Sequence, residues 1–160
     1  MTRRLVRTPK GVDLVLSRTF RAHAEDVWAS VTDPERTALW FGPWEGRCPD
    51  IRVRMAFEEQ QPWTDVRVVA CEEPLRLVLK VVDDFGTWRL ALRLSEVDGE
   101  TTLTLVHHLP SADGLGEVGP GWEYYLDMLV ASRVGGARPV FDDYYPALKV
   151  PFESLSTVDS

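Results

Sequence analysis

Cysteine is scarce in this chain. Cys48 and Cys71 are the only two, and neither belongs to a CxxC pair or lies near a ligand-spaced histidine. A structural zinc site is therefore not expected, whereas free thiols in a reducing cytoplasm are. Long hydrophobic runs are missing as well: no apolar stretch approaches the roughly 18 residues of a membrane span. The opening residues, MTRRLVRTPK, lack the apolar segment of a signal peptide. The expectation is a cytoplasmic protein with no stable membrane insertion. Positive charge is in deficit, with a formal net charge of −7 and a pI near 5.0. Phosphate backbones need clustered Lys and Arg, so nucleic acid is not the expected partner. The four cations between Met1 and Lys10 read as a solvated arm.

Signature motifs of chemistry are absent too. The chain has no G-x-S-x-G, no G-x-x-x-x-G-K and no H-E-x-x-H, and Gly114, Gly116, Gly119 and Gly121 do not follow the strand-to-helix pattern that cradles a dinucleotide phosphate. The doublets Glu58-Glu59, Glu72-Glu73, Asp83-Asp84 and Asp142-Asp143 flank turns and read as solvated faces. Neither a metal nor a cofactor is expected.

What is present is regular patterning. A chain of 160 residues, 44% hydrophobic and 27% charged, fits a single globular domain over 1–152 with a flexible tail over 153–160. Val12 to Phe20 alternates as a half-buried strand, with Arg18 on its apolar side. Ala24 to Val31 then reads as a short helix, and Asp33-Pro34 as the N-cap and first residue of a second. Phe41 to Asp50 holds two glycines and two prolines and reads as a loop. Four more alternating strands follow, centred on Val53, Val66, Leu77 and Leu90. Asp98-Gly99 is the strongest hairpin signal, and it leads into a sixth strand ending near His107. From Gly119 to Gly135 the apolar residues recur at three- and four-residue spacing, which predicts a helix entered at Pro120 with Trp122, Tyr125, Leu126 and Leu129 on one face. The prediction is an α+β domain: a curved six-stranded antiparallel sheet around a long C-terminal helix, with two short helices after the first strand.

The motifs RTFRAHAEDVWASVTDPERTALWFGP, CEEPLRLVL, GETTLTLVHHL and GPGWEYYLDML, taken in order and spacing, resemble the SRPBCC superfamily, also called START-like or birch-allergen-like. The resemblance covers roughly Val12 to Val134 and points to the branch named after the activator of the heat-shock-protein-90 ATPase. It implies a helix-grip fold, with a bent sheet gripping the C-terminal helix around a cavity that holds lipids, polyketides or other apolar molecules. Two positions depart from the family pattern. Cys48-Pro49-Asp50 stands where a Gly-Gly pair is common, and His23 stands where proline often starts the first helix.

Strand parity and the helix face then select candidate ligand contacts. From the strands come Met55, Phe57, Val66, Val68, Leu77, Leu79, Trp88, Leu90 and Leu105; from the helix come Trp122, Tyr125, Leu126 and Leu129. Trp40, Phe41, Trp44 and Trp63 are placed at the mouth. Arg18 and His107 are the polar residues whose parity points inward. The same residues would equally serve as ordinary core, since aromatics bury large areas. A buried Arg18 needs a ligand carboxylate, an inner Asp or Glu, or backbone carbonyls.

Three functions follow. The first is a binding module for a small hydrophobic lipid, polyketide or aromatic metabolite. The second is an enzyme of cyclase, dehydratase or hydrolase type in the same cavity, with His107 as general base and Tyr125 as hydrogen-bond donor. The third is an interaction protein, a chaperone activator or a homodimer, using Trp40, Phe41, Trp44 and Trp63 as its surface.

Overall fold

A computed structural model describes residues 2–54, 63–83 and 86–159. Its strands are β1 (Thr2–Thr8), β2 (Gly11–Phe20), β3 (Trp44–Arg47), β4 (Asp50–Val53), β5 (Thr64–Glu72), β6 (Arg76–Asp83), β7 (Gly86–Val97), β8 (Glu100–Leu109) and β9 (Thr157–Asp159). The helices are α1 (Ala24–Thr32), α2 (Pro34–Thr37), α3 (Leu115–Val134) and α4 (Lys149–Glu153), with a 3-10 turn at Phe141–Asp143. One sheet holds all nine strands in the order β3-β4-β5-β6-β7-β8-β2-β1-β9. Every pairing is antiparallel except β1 with β9.

The α+β architecture and the long helix agree with the expectation, but the sheet has nine strands where the patterning predicted six. The three additions are β1, β3 and β9. The basic arm at the N-terminus is β1, held by Leu5, which is fully buried. Phe41 to Asp50 is not a loop throughout: Trp44–Arg47 and Asp50–Val53 form a hairpin, with Cys48-Pro49 as its turn. The stretch expected to be a tail contributes Thr157–Asp159, which pairs with β1. β3 and β9 are short, and β1 offers only Leu5 and Val6 as apolar residues, so all three are held by the strand they pair with and not by a visible alternation. The predicted second strand is seen as β4 over Asp50–Val53, and its continuation through Met55 and Phe57 lies outside the described residues.

Two other expectations are corrected. The long helix begins at Leu115, so Pro120 lies inside it and not at its start. The early turn is occupied because Gly119 receives the ring of Phe152 from α4: a Cβ there would sit 2.2 Å from Phe152 Cδ1. In β5, a bulge between Val68 and Ala70 reverses the alternation. Cys71, paired with Leu77, therefore takes the inner face, and Ala70, paired with Val78, takes the outer one.

The main core lies between the concave face of the sheet and α3, built on Leu14, Leu16, Leu103, Leu126 and Leu129. A smaller cluster of Val15, Ala91 and Val106 occupies the opposite face. Asp33 caps α2 by accepting from Glu35 N at 3.0 Å. His23 gives α1 no side-chain cap; Glu96 of β7 does so instead, accepting from Ala24 N at 2.6 Å. Asp98 and Gly99 close the β7–β8 hairpin with φ of 54° and 77°, as a two-residue hairpin turn requires.

Candidate functional site

Between the inner sheet face and the helices lies a cavity of about 360 Å³. Its floor is aliphatic and comes from alternate positions of adjacent strands: Val66 and Val68, Leu77 and Leu79, Leu90, and Leu105. Its roof is aromatic. Trp122 and Leu126 come from α3, Trp28 from α1, and Trp40, Phe41 and Trp44 from the segment after α2. Between α2 and the start of β3 at Trp44 that segment is irregular, and two indoles fix it. Trp40 Nε1 donates to Ser30 O and Trp44 Nε1 to Thr32 O, both at 2.8 Å. These are among the last carbonyls of α1, which have no partner within their own helix. The same bonds that complete the helix end thus aim two tryptophans at the cavity. Phe41 stacks on Trp122, with ring centres 6.2 Å apart and planes within 8° of parallel.

Eleven of the candidate residues line this space: Trp40, Phe41, Trp44, Val66, Val68, Leu77, Leu79, Leu90, Leu105, Trp122 and Leu126. Six others lie elsewhere. Trp63 is partly exposed beneath the guanidinium of Arg52. Tyr125 backs Phe41 at 4.9 Å, and Leu129 is fully buried in the core. Met55 and Phe57 fall outside the described residues.

The remaining three, Trp88, His107 and Arg18, are spent on other partners. Trp88 stacks on His107 at 4.8 Å, and Trp122 Nε1 donates to His107 Nδ1 at 3.1 Å. An accepting Nδ1 is unprotonated. Burial pushes the imidazole pKa down to about 4, with the neighbouring His108 adding to the shift. His107 is therefore a neutral anchor for the indole of Trp122. Arg18 meets an inner acid pair: Nε reaches Asp127 Oδ1 at 3.1 Å and one terminal nitrogen reaches Glu123 Oε2 at 3.2 Å. Arg3 of β1 also approaches Glu123, at 3.4 Å, and Tyr144 donates to Asp127 Oδ2 at 2.6 Å. Burial, then the bond to Asp127, raises the Tyr144 pKa.

Several wall residues were not picked out by sequence reasoning. Trp28, Val31 and Thr37 fall on the predicted short helices as ordinary positions, and Thr32 between them; Cys71 was hidden by the β5 bulge, and Cys48 by the expected loop. Cys48, Cys71, Glu73, Thr32 and Thr37 are the polar groups of the wall. Burial raises the Cys71 thiol pKa, and Cys48 and Glu73 add to it, which keeps the sulfur protonated. Glu123 was missed because it falls on the apolar side of α3 as a charged residue; its place opposite Arg18 could have been a signal. Among the described residues no group of three or more His, Cys, Asp or Glu is placed to hold a metal, and no helix is long and apolar enough to cross a membrane.

A bent sheet, a gripped helix and an apolar hollow between them define a helix-grip container. Residues 21–132 match the family described as Activator of Hsp90 ATPase homolog 1-like protein, and the chain belongs to that family, within the SRPBCC superfamily. The fold is similar to that of CalU16 from Micromonospora echinospora, 28% identical over 96% of each chain with a TM-score of 0.79. It is also similar to the protein encoded by BPP1335 of Bordetella parapertussis, 21% identical over 91% of this chain and 87% of that one, TM-score 0.75. DynU16, from the dynemicin biosynthetic locus, is 22% identical over 81% of this chain and 50% of its own, TM-score 0.68. No curated protein matches the sequence significantly.

Proposed function

We propose that the protein binds one small, neutral, largely apolar molecule in the cavity between the sheet and α3. The observation that carries this reading is the wall itself. An aliphatic floor faces an aromatic roof across about 360 Å³, the share of roughly a dozen waters in the liquid. That volume lies in the lower part of the range for small-molecule sites. A flat or partly ring-shaped ligand suits the parallel Phe41 and Trp122 rings; the thiols and hydroxyls at the wall suit a carbonyl or hydroxyl substituent. No Lys or Arg stands among the described wall residues, and Arg18 is already matched by Glu123 and Asp127, so the described wall does not favour a ligand carboxylate. DynU16 belongs to a locus for making a small molecule, which supports a metabolite as the guest.

A cyclase-like reaction in the same cavity is the second reading, and it rests on Glu73, the carboxylate at the described wall. His107 does not supply its base, since its Nδ1 already accepts from Trp122.

The test is a thermal-shift and tryptophan-fluorescence titration against fatty acids, sterols and polycyclic aromatics, with Leu77→Trp as the filled-cavity control. A ligand at a hundred times its Kd should stabilise by about 2.7 kcal/mol. Equal binding by Leu77→Trp would place the guest elsewhere and end this reading. Turnover of a bound compound that disappears in Glu73→Gln while binding persists would favour the second.

A further inference from the structure

The outer face of the sheet, opposite the cavity, carries an arrangement that nothing in the interior explains. Arg67 of β5, Arg76 and Lys80 of β6, and Arg89 and Arg93 of β7 share that face, and the strand register places them in two rows. Across the sheet runs the row Asp50, Arg67, Lys80, Arg89, His108, Asp13, each paired directly with the next. Its middle three members are cations facing one another on adjacent strands. A second row sets Arg76 opposite Arg93.

Like charges directly opposite one another across a sheet are destabilising, and here three such pairs coincide in a chain with 25 acidic and 18 basic residues. The row ends are matched: Arg67 meets Asp50 at 3.4 Å, Arg76 meets Glu72 at 2.8 Å, and His108 meets Asp13 at 2.6 Å. Lys80, Arg89 and Arg93 make no ion pair among the described residues. Positive charge is concentrated where the fold gains nothing from it.

We propose that this face docks an acidic α-helix of a protein partner, held by charge complementarity to the two cation rows. The two cation rows stand four residues apart along the strands, about 13 Å. A helix with its side chains is roughly 10–12 Å across, so it lies between the rows with its axis running across the strands. Carboxylates three and four residues apart on a helix are about 5–6 Å from one another. Cations on neighbouring strands repeat at about 4.8 Å, so each flank of the helix meets its row in near register. Between the rows lie Ala91 and Val106, already buried, and the half-buried Val78: short side chains that leave the helix a shallow floor between the longer cations and little apolar surface to cover. Because these side chains alternate with those of the cavity floor, the partner docks without covering the ligand site.

The probe is an end-capped, Ala/Leu-rich helix of about 20 residues with glutamates along both flanks, titrated by fluorescence anisotropy against the full chain. The expected result is saturable binding that weakens about tenfold in Lys80→Glu/Arg89→Glu and is left intact in Lys10→Glu/Arg21→Glu, which changes net charge equally off this face. Lys80→Gln/Arg89→Gln gives a second reading if the reversal disturbs folding: it should bind more weakly while melting no lower than the parent. A scrambled peptide of the same composition should bind at least tenfold more weakly. The proposal is overturned if the scrambled peptide binds as well, if the outer-face variants bind unchanged, or if phosphatidylglycerol vesicles or oligo-dT bind more tightly than the helix.

Discussion

The helix α3 borders two interiors of opposite character. Toward the segment after α2, its residues Trp122 and Leu126 face a hollow. Toward β1, β2 and the C-terminal segment, Glu123 and Asp127 enter a closed polar cluster with Arg18, Arg3 and Tyr144, and Gly119 takes the ring of Phe152. One side is filled and pinned by directional bonds; the other is left unfilled. The difference shows how a container stays open. A void loses dispersion contacts, so the helix that roofs it has to be held from elsewhere. Asp127 and Glu123 provide that hold, and Arg133 ties the far end of the helix to Asp26 at 3.0 Å and Ser30 at 2.7 Å on α1.

The largest effect should come from the filled side. Phe152→Ala empties the notch at Gly119, and urea denaturation should show a loss of about 3–5 kcal/mol. Ligand affinity in the folded fraction should stay unchanged. Arg18→Gln leaves Asp127 without its cation and the buried Glu123, 1% exposed, with only the longer 3.4 Å contact to Arg3. A loss of about 3 kcal/mol is expected, and Arg18→Leu/Glu123→Leu should lose less than the sum of its single changes. An additive double mutant would contradict the pinning role.

The anchor between the two sides titrates. His107 has its pKa depressed to about 4 in the fold against an ordinary 6.5, so the unfolded chain takes up its proton first as pH falls. This contribution to stability is complete above about pH 6.5 and declines by roughly 3 kcal/mol down to pH 4, below which it is flat. His107→Gln should remove that slope from the pH dependence of unfolding. A slope that survives the substitution would belong to another group.

Tyr144→Phe deletes one bond to Asp127 and should cost about 1 kcal/mol. The smallest change in stability is expected on the hollow side. Leu77→Trp grows into free volume, so it should alter stability by less than about 1 kcal/mol while weakening ligand binding more than tenfold. A large destabilisation there would mean that the space is not available to a guest, and the contrast between the two interiors would fall.

Much of this was legible in the residues. Strict alternation gave β2 and the β6–β8 meander, and the spacing of Trp122, Tyr125, Leu126 and Leu129 gave the inner face of α3. Asp33-Pro34 and Asp98-Gly99 marked a helix start and a hairpin by local chemistry that needs no tertiary context. Short elements were not legible. β3 and β9 are recruited by the edges they pair with, and a one-residue bulge at Val69 moved Cys71 into the cavity against the alternation.

By itself, then, the sequence determined which faces are apolar and in what order the elements come, because periodicity is a property of the local backbone. Only the tertiary structure decided what becomes of the inward polar residues. Arg18 and His107 both point inside as their parity required, but their partners, Glu123 and Trp122, lie 105 and 15 positions away along the chain. Whether a buried charge meets a ligand or a neighbouring side chain depends on what folding brings within about 3 Å of it, and no local pattern records that distance.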